Sequence, residues 1–398
     1  MTSVRQVLSI ILATLFISTP FCIQSVVGDV NQQFKGPLQT YEPHFPIFIV
    51  DESDFRFYGF IGEGTQESPF ILSNVNITSG GWCISISDTE SYFEIRDSCF
   101  FGSGDAVIVL SHTAYGIISN CWIENGWNTI RMEHCYDISV INNFVVGATQ
   151  TGIELRQSYN VSISGNLIFG NDRGIEISSS DNSNVINNKI YTNNLNGIES
   201  SAYTYNNSIY GNEIGWNVGS LILTGEKNAE DNGESNTWDN GLDIGNDWSD
   251  YDGIGPYEID GDAASFDNFP ALLVDNTAPL ISLLNGDEIH VESIPAVFNW
   301  SVQDDHPFQY RIYVDGERVR SEFFMSGIIT VQLAGLMVGN HNLTIVARDG
   351  AGNSDQVDTT VTIVAEIDQT PLLLSLVGLV LIIAVVASME LNRRRKIK

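Results

Sequence analysis

The stretch Gly152-Ile-Glu-Leu-Arg156 returns as Gly174-Ile-Glu-Ile-Ser178 and again as Gly197-Ile-Glu-Ser-Ser201. Between these, Gly165-Asn-Leu-Ile168 returns as Asn187-Asn-Lys-Ile190 and Gly211-Asn-Glu-Ile214. The interval is 22–24 residues, a period that marks a stacked repeat rather than a single compact core. Working outward, the first motif continues as Ile130-Arg-Met132, Val107-Ile-Val109 and Ile84-Ser-Ile86, and forward as Leu221-Ile-Leu223. The second continues as Asn143-Phe-Val145, Cys121-Trp-Ile123, Ser98-Cys-Phe100 and Val75-Asn-Ile77. Within each motif the apolar period is two, as in a strand. Only a few Gly, Asn, Ser or Asp residues separate the strands, which leaves no room for helices. Three short strands and three turns per repeat make one coil of a right-handed parallel β-helix. The recurring Asn then stacks as an amide ladder at about 4.8 Å per coil. Gly152, Gly174 and Gly197 read as tight corners. Phe45–Ile77 is expected to supply the first coils and Asn228–Leu272 to close the other end.

Beyond the repeat, two stretches resemble the NosD-type right-handed β-helix proteins. One is Gly62-Glu-Gly-Thr-Gln-Glu-Ser-Pro-Phe-Ile71. The other is Gly245-Asn-Asp-Trp-Ser-Asp-Tyr-Asp-Gly-Ile-Gly-Pro-Tyr-Glu-Ile259, followed by Asp267-Asn-Phe-Pro270. The likeness covers roughly residues 45–275. It implies the fold and an extracytoplasmic, often sugar-associated, setting; the chemistry it leaves open.

From Asp275-Asn-Thr-Ala-Pro279 the composition changes. Alternating strands follow at Ala296–Val302, Tyr310–Val314, Ile328–Leu333, His341–Ala347 and Thr359–Val364, with Trp300 as core aromatic. They resemble the immunoglobulin-like β-sandwich modules of prokaryotic surface proteins. A spacer role suits this module; an adhesive one is the alternative.

The two ends point to the membrane. Met1–Gly28 reads as a secretory signal peptide. Residues 367–390 read as one transmembrane helix, and 391–398 as a basic cytoplasmic tail. The expected organisation is therefore 1–28 signal, 29–275 β-helix with caps, 276–366 sandwich, then anchor and tail. The fold class is all-β apart from that helix, with the ectodomain outside. Sequons at Asn76, Asn160, Asn206, Asn299 and Asn342 are possible glycan sites. Cys83, Cys99, Cys121 and Cys135 show no disulfide spacing and read as buried thiols.

With 18 Lys+Arg against 49 Asp+Glu, the net charge is −31. A nucleic-acid binder needs the opposite balance. Any chemistry is expected on the outward residues of the Ile-x-Ile strands, namely Ser85, Ile108, Arg131, Glu154, Glu176, Glu199 and Ile222. Stacked glutamates repel by about 3–4 kcal/mol at an effective dielectric of about 20, so Arg131, Arg156 and Arg173 are expected to compensate them. Arg131, Glu154, Arg156, Arg173, Glu176 and Glu199 together form the candidate ligand strip. Glu154, Glu176, Glu199 and Arg131 are also the candidates for catalysis. The plain alternative is a solvated, salt-bridged face.

Gly102-Ser-Gly-Asp105 faintly resembles a polygalacturonase strand, but the second Asp and the His-Gly are missing. Asp247, Asp250, Asp252, Asp260 and Asp262 crowd a Gly-rich stretch and suit Ca²⁺. Copper is not indicated, because the His and Met residues are scattered. Tyr92, Tyr115, Tyr136 and Tyr159 recur at one corner, and Trp82, Trp122, Trp127 and Trp216 lie off the core column. The leading reading is a membrane-anchored, non-catalytic module that binds an extracellular glycan or another surface component. A polysaccharide lyase or glycoside hydrolase, and a structural envelope spacer, stay open beside it.

Overall fold

The computed structural model describes residues 41–217, 227–285, 289–291 and 295–365. The segments expected as signal peptide, anchor helix and basic tail, and the strand expected at Leu221–Leu223, lie outside the described residues. Among the described residues no helix is long and apolar enough to cross a membrane.

The repeat folds as a parallel β-solenoid of right-handed type. One coil contributes Phe144–Val146, Thr151–Arg156 and Ser162–Ser164 to three different sheets. Strands of successive coils pair in parallel, giving sheets of ten, eight and seven strands. The inward column of the eight-stranded sheet, Ile84, Ile108, Ile130, Ile153, Ile175 and Ile198, is fully buried. The expected register slips at one coil. Ile108 pairs with Ile84 and Ile130 and points inward, so the outward residue there is Val109. Val107-Ile-Val-Leu110 is apolar throughout, and an unbroken apolar run gives no phase to read.

The amide ladder is present. Asn143 N–H and Nδ2 both donate to Asn166 Oδ1, at 2.8 and 3.1 Å. Asn166 repeats this onto Asn188, Asn188 onto Asn212, and Asn212 onto Asn246. The ladder ends on the buried Asp267, whose Oδ2 accepts from Asn246 N–H at 2.7 Å and from Trp248 Nε1 at 2.9 Å. A second ladder runs Asn171, Asn193, Asn217, Asn228. The closing motif is thus a cap that gives the last amide an acceptor. Gly245 belongs to it because a Cβ there would stand 2.0 Å from Asp267 Oδ1.

Gly152, Gly174 and Gly197 serve a purpose other than the one expected. None has positive φ. Each faces the next coil so closely that a Cβ would lie 2.4–2.7 Å from a backbone carbonyl oxygen.

The opening cap contains one short helix, Glu52–Phe57, absent from the sequence reading. Asp51 accepts from Ser53 N–H, and Asp54 accepts from Asp51 N–H, a reciprocal cap that holds a single turn and a half. The helix drives Phe55 onto Phe70, with rings stacked at 4.6 Å, and so plugs the core.

After Ala271–Leu272 the chain builds a sandwich of three and five strands around Trp300, Phe298, Ile312 and Ile345. Three of its strands, Leu280–Asn285, Glu317–Phe323 and Ile289–Val291, escape the sequence reading. The second is a charged edge strand, whose polarity blunts the edge and hides its period. The sandwich docks on the ten-stranded sheet, where Phe308, Phe323 and Met325 pack on Phe144, Val146, Phe169 and Tyr191.

Candidate functional site

The outer face of the eight-stranded sheet carries the candidate strip. Its central column reads Phe48, Ser85, Val109, Arg131, Glu154, Glu176, Glu199, Glu230, each in register with the next. Asp260 forms a further bridge with Glu230. Beside it runs Ala106, Asn128, Thr151, Arg173, Asn196.

These columns are cross-linked diagonally. Asn128 Nδ2 donates to Glu154 Oε2 at 2.8 Å, Thr151 Oγ1 to Glu176 Oε2 at 3.1 Å, and Arg173 Nε to Glu199 Oε2 at 2.7 Å. Asn196 donates to Glu199 and, on the next rung, to Glu230. Each carboxylate therefore receives a donor from the preceding coil. These donors offset part of the repulsion between neighbouring carboxylates. Arg156 adds a fork, with Nε and Nη2 both 2.6 Å from Glu154 Oε1. Glu154 is fully buried, and burial pushes its carboxyl above the usual range although Arg156 opposes this. Lys227 pairs with Glu230 and holds that carboxyl below the usual range.

The structure brings Arg131, Glu154, Arg156, Arg173, Glu176 and Glu199 onto one face. Arg131, however, does not compensate a glutamate of the strip by ion pairing. Its Nη1 pairs with Asp105 Oδ2 at 2.6 Å, and its Nε is buried without a partner. Glu230 escaped the sequence reading because the interval from Glu199 is longer than one period. The donors Asn128, Thr151 and Asn196 were missed because the reading followed only the central column.

The other end of the face is aromatic. Phe48 meets Trp82 at 6.0 Å between ring centroids. Their exposures are 42% and 40%, and Trp127, next to Asn128 on the rim, is 57% exposed. Trp122 and Trp216 instead pack at the seam with the sandwich. Tyr92, Tyr115, Tyr136 and Tyr159 do form a ladder, with centroids 4.5–5.6 Å apart. Tyr92 stacks on Tyr115 and Tyr136 on Tyr159, while Tyr115 and Tyr136 meet edge to face at 80°.

The acidic stretch expected to hold calcium divides. Asp250, Asp252 and Asp260 line a cleft of about 480 Å³ with Glu258, Tyr251 and Tyr257; Asp247 and Asp262 are not part of its lining. Asp250 accepts from Asn228 and Tyr257, and Asp252 caps Ile254 N–H.

A family model described as periplasmic copper-binding protein (NosD) matches residues 48–253, more than half of the chain. The chain belongs to the NosD family. No curated protein matches it. Among solved structures, it is similar to a periplasmic alginate epimerase, AlgG, at 14% identity, covering 51% of this chain and 50% of that one with TM-score 0.35. It is similar to the enzymatically active domain of bacteriophage CBA120 tailspike protein 2 at 13% identity, covering 81% and 65%, with TM-score 0.35. Fibronectin(III)-like modules of Clostridium thermocellum CbhA match at 14% identity over 22% of this chain and 98% of theirs, TM-score 0.19. At such identities and scores these likenesses say nothing of what this NosD-family chain binds.

Copper can be tested against the residues present. No disulfide joins Cys83, Cys99, Cys121 and Cys135, all of which are buried. Burial pushes the Cys83 thiol up to about 12, so it resists becoming the thiolate a metal needs. His112 and His134 stack at 4.6 Å, but no third His, Cys, Asp or Glu joins them among the described residues. These donors do not fit a copper centre.

Proposed function

We propose that this NosD-family chain works outside the cytoplasm and binds a neutral or amino-bearing glycan along the outer face of its eight-stranded sheet. The family's periplasmic description and the reading of the two chain ends support the location. Anchoring through residues 367–390 is part of the same proposal. One observation carries the binding: exposed Phe48, Trp82 and Trp127 share a face with Arg131 and a ladder of oriented carboxylates. Indole and phenyl rings take the apolar face of a sugar. Ionised carboxylates and guanidinium fix its hydroxyls through charge-assisted hydrogen bonds. A net charge of −31 disfavours a polyanionic polymer.

Glu154 suits neither ligand contact nor catalysis and holds the strip together, since it is fully buried and both its oxygens are committed to Asn128 and Arg156. Glu176 and Glu199, on adjacent rungs, keep the hydrolase or lyase reading alive, since the bonds they accept fall on Oε2 alone.

The test offers the purified full chain to neutral, amino-bearing and acidic polysaccharides, with and without calcium. Retention and new chain ends are both recorded. Retention on the first two classes without new ends is expected, weakened about tenfold, or roughly 1.4 kcal/mol, by Trp82→Ala or Trp127→Ala. New ends that vanish with Glu176→Gln would make the protein an enzyme, and no retention on any polymer would leave the structural spacer.

A further inference from the structure

The seam between solenoid and sandwich holds a histidine in an unusual position. His306 is buried, with Nε2 2.7 Å from Glu213 Oε2 on the solenoid and Nδ1 2.9 Å from Asp275 Oδ2 on the connecting segment. A neutral imidazole has one donor nitrogen and one acceptor nitrogen. It would set a lone pair against one of those carboxylates. Only the imidazolium donates to both.

The surroundings sharpen the dependence. Lys189 pairs with Glu213 from the solenoid side and reaches Asp305 O. The rings of Tyr191 and Trp216 flank the imidazole at 5.4 and 5.1 Å. Tyr191 OH donates to Pro307 O at 2.8 Å, and Gly350 N–H to His306 O at 2.7 Å. On the sandwich side, carboxylate oxygens of Asp304, Asp349 and Asp275 lie within 4.8 Å of one another. These three are held by His306 N–H, Asn353 and Thr277 respectively. Three carboxylates this close cannot all ionise without repulsion, which gives the closed seam a second reason to retain a proton.

We propose that this seam is a proton-dependent latch: it holds the sandwich against the solenoid in mildly acidic surroundings and releases it as the pH rises. The signs agree. The closed seam raises His306 above its usual 6.5, with Glu213 and Asp275 prevailing over burial. Its contribution is therefore complete below about 6.5 and is lost as pH climbs through the raised value. Burial first, then Asp349 and Asp275, lift Asp304 to about 7. Closure thus also weakens between about 3.8 and 7 as Asp304 ionises. Glu213 and Asp275 are held low against the pull of burial, by the His306 bond and by the Thr277 N–H and His306 bonds respectively. Their contribution disappears only in stronger acid.

The test is hydrogen exchange on the full chain between pH 6 and pH 9, corrected for the intrinsic pH dependence of exchange. Residues 84–96 of the solenoid, whose strands lie in the two sheets that the sandwich does not cover, serve as the folded reference. Each pK unit gained on closure is about tenfold in the opening constant. Protection of peptides spanning Tyr191 and His306 should fall about tenfold or more while the reference holds. In His306→Gln the seam should be less protected at pH 6 and keep only the smaller fall that Asp304 supplies as it ionises near pH 7. In Asp304→Asn protection at pH 7.5 should rise above that of the parent. Flat protection in the parent, the same fall in His306→Gln, or no gain in Asp304→Asn would overturn the latch.

Discussion

Asn188 shows how much one side chain does in this architecture. Its Oδ1 takes two donors from Asn166, and its Nδ2 reaches Ile163 O and Asn212 Oδ1. Replacement by Ala would leave the buried amide and N–H of Asn166 with fewer acceptors, and buried unpaired polar groups cost about 1–3 kcal/mol each. Asn188→Ala should therefore destabilise by about 2–4 kcal/mol, read as a lower thermal midpoint by circular dichroism. The exposed Asn194, whose side chain bonds Asp172 at the surface, should change it by less than about 0.5 kcal/mol when replaced by Ala. The ladder could be read from the recurring Asn alone. Its terminus could not, since Asp267 lies 21 residues from Asn246 and the intervening loop has no period.

At the level of the strand, spacing between coils sets what is tolerated. A Cβ at Gly174 would stand 2.4 Å from Gly197 O and 2.7 Å from Ile190, whereas Gly80 has nothing within 4 Å. Overpacking of this kind costs about 1–3 kcal/mol. Gly174→Ala should lower the urea midpoint accordingly, and Gly80→Ala should leave it unmoved. The inward and outward sides of the eight-stranded sheet were legible wherever Ile alternates with a polar residue, as at Ile153-Glu-Leu155 and Ile175-Glu-Ile177. They were misread at Val107-Ile-Val109, where nothing alternates. The acidic column was legible for three rungs and lost at the fourth. The aromatic half was visible only as scattered tryptophans, because Phe48 and Trp82 are 34 residues apart and come from the capping coil.

For the molecule as a whole, charge is the dominant uncompensated quantity. A chain at −31 works against itself when compact. Raising salt from about 20 to about 150 mM shortens the screening length from roughly 20 Å to about 8 Å. The thermal midpoint should rise over that interval, and a midpoint independent of salt would show that the strip's internal pairs already neutralise the field. The docking of the two modules was not legible at all. His306 follows Asp304-Asp305 in sequence and gives no sign of partners 93 and 31 residues away. Nor does the pattern of Phe308 and Phe323 distinguish a face packed within the sandwich from one laid on the solenoid.

The amide ladders have a last implication, which concerns heredity. Every rung presents the same acceptor upward and the same donors downward, and only the two caps are unique. An in-frame duplication or loss of one whole coil therefore restores the ladder's hydrogen bonds at the splice, while a change of one or two codons is absorbed only in a turn, as the steps of 23, 22 and 24 residues between successive ladder asparagines show. Descendants of this gene should differ in coil number and in turn length sooner than in strand length, and with each added coil the exposed strip would grow by one rung.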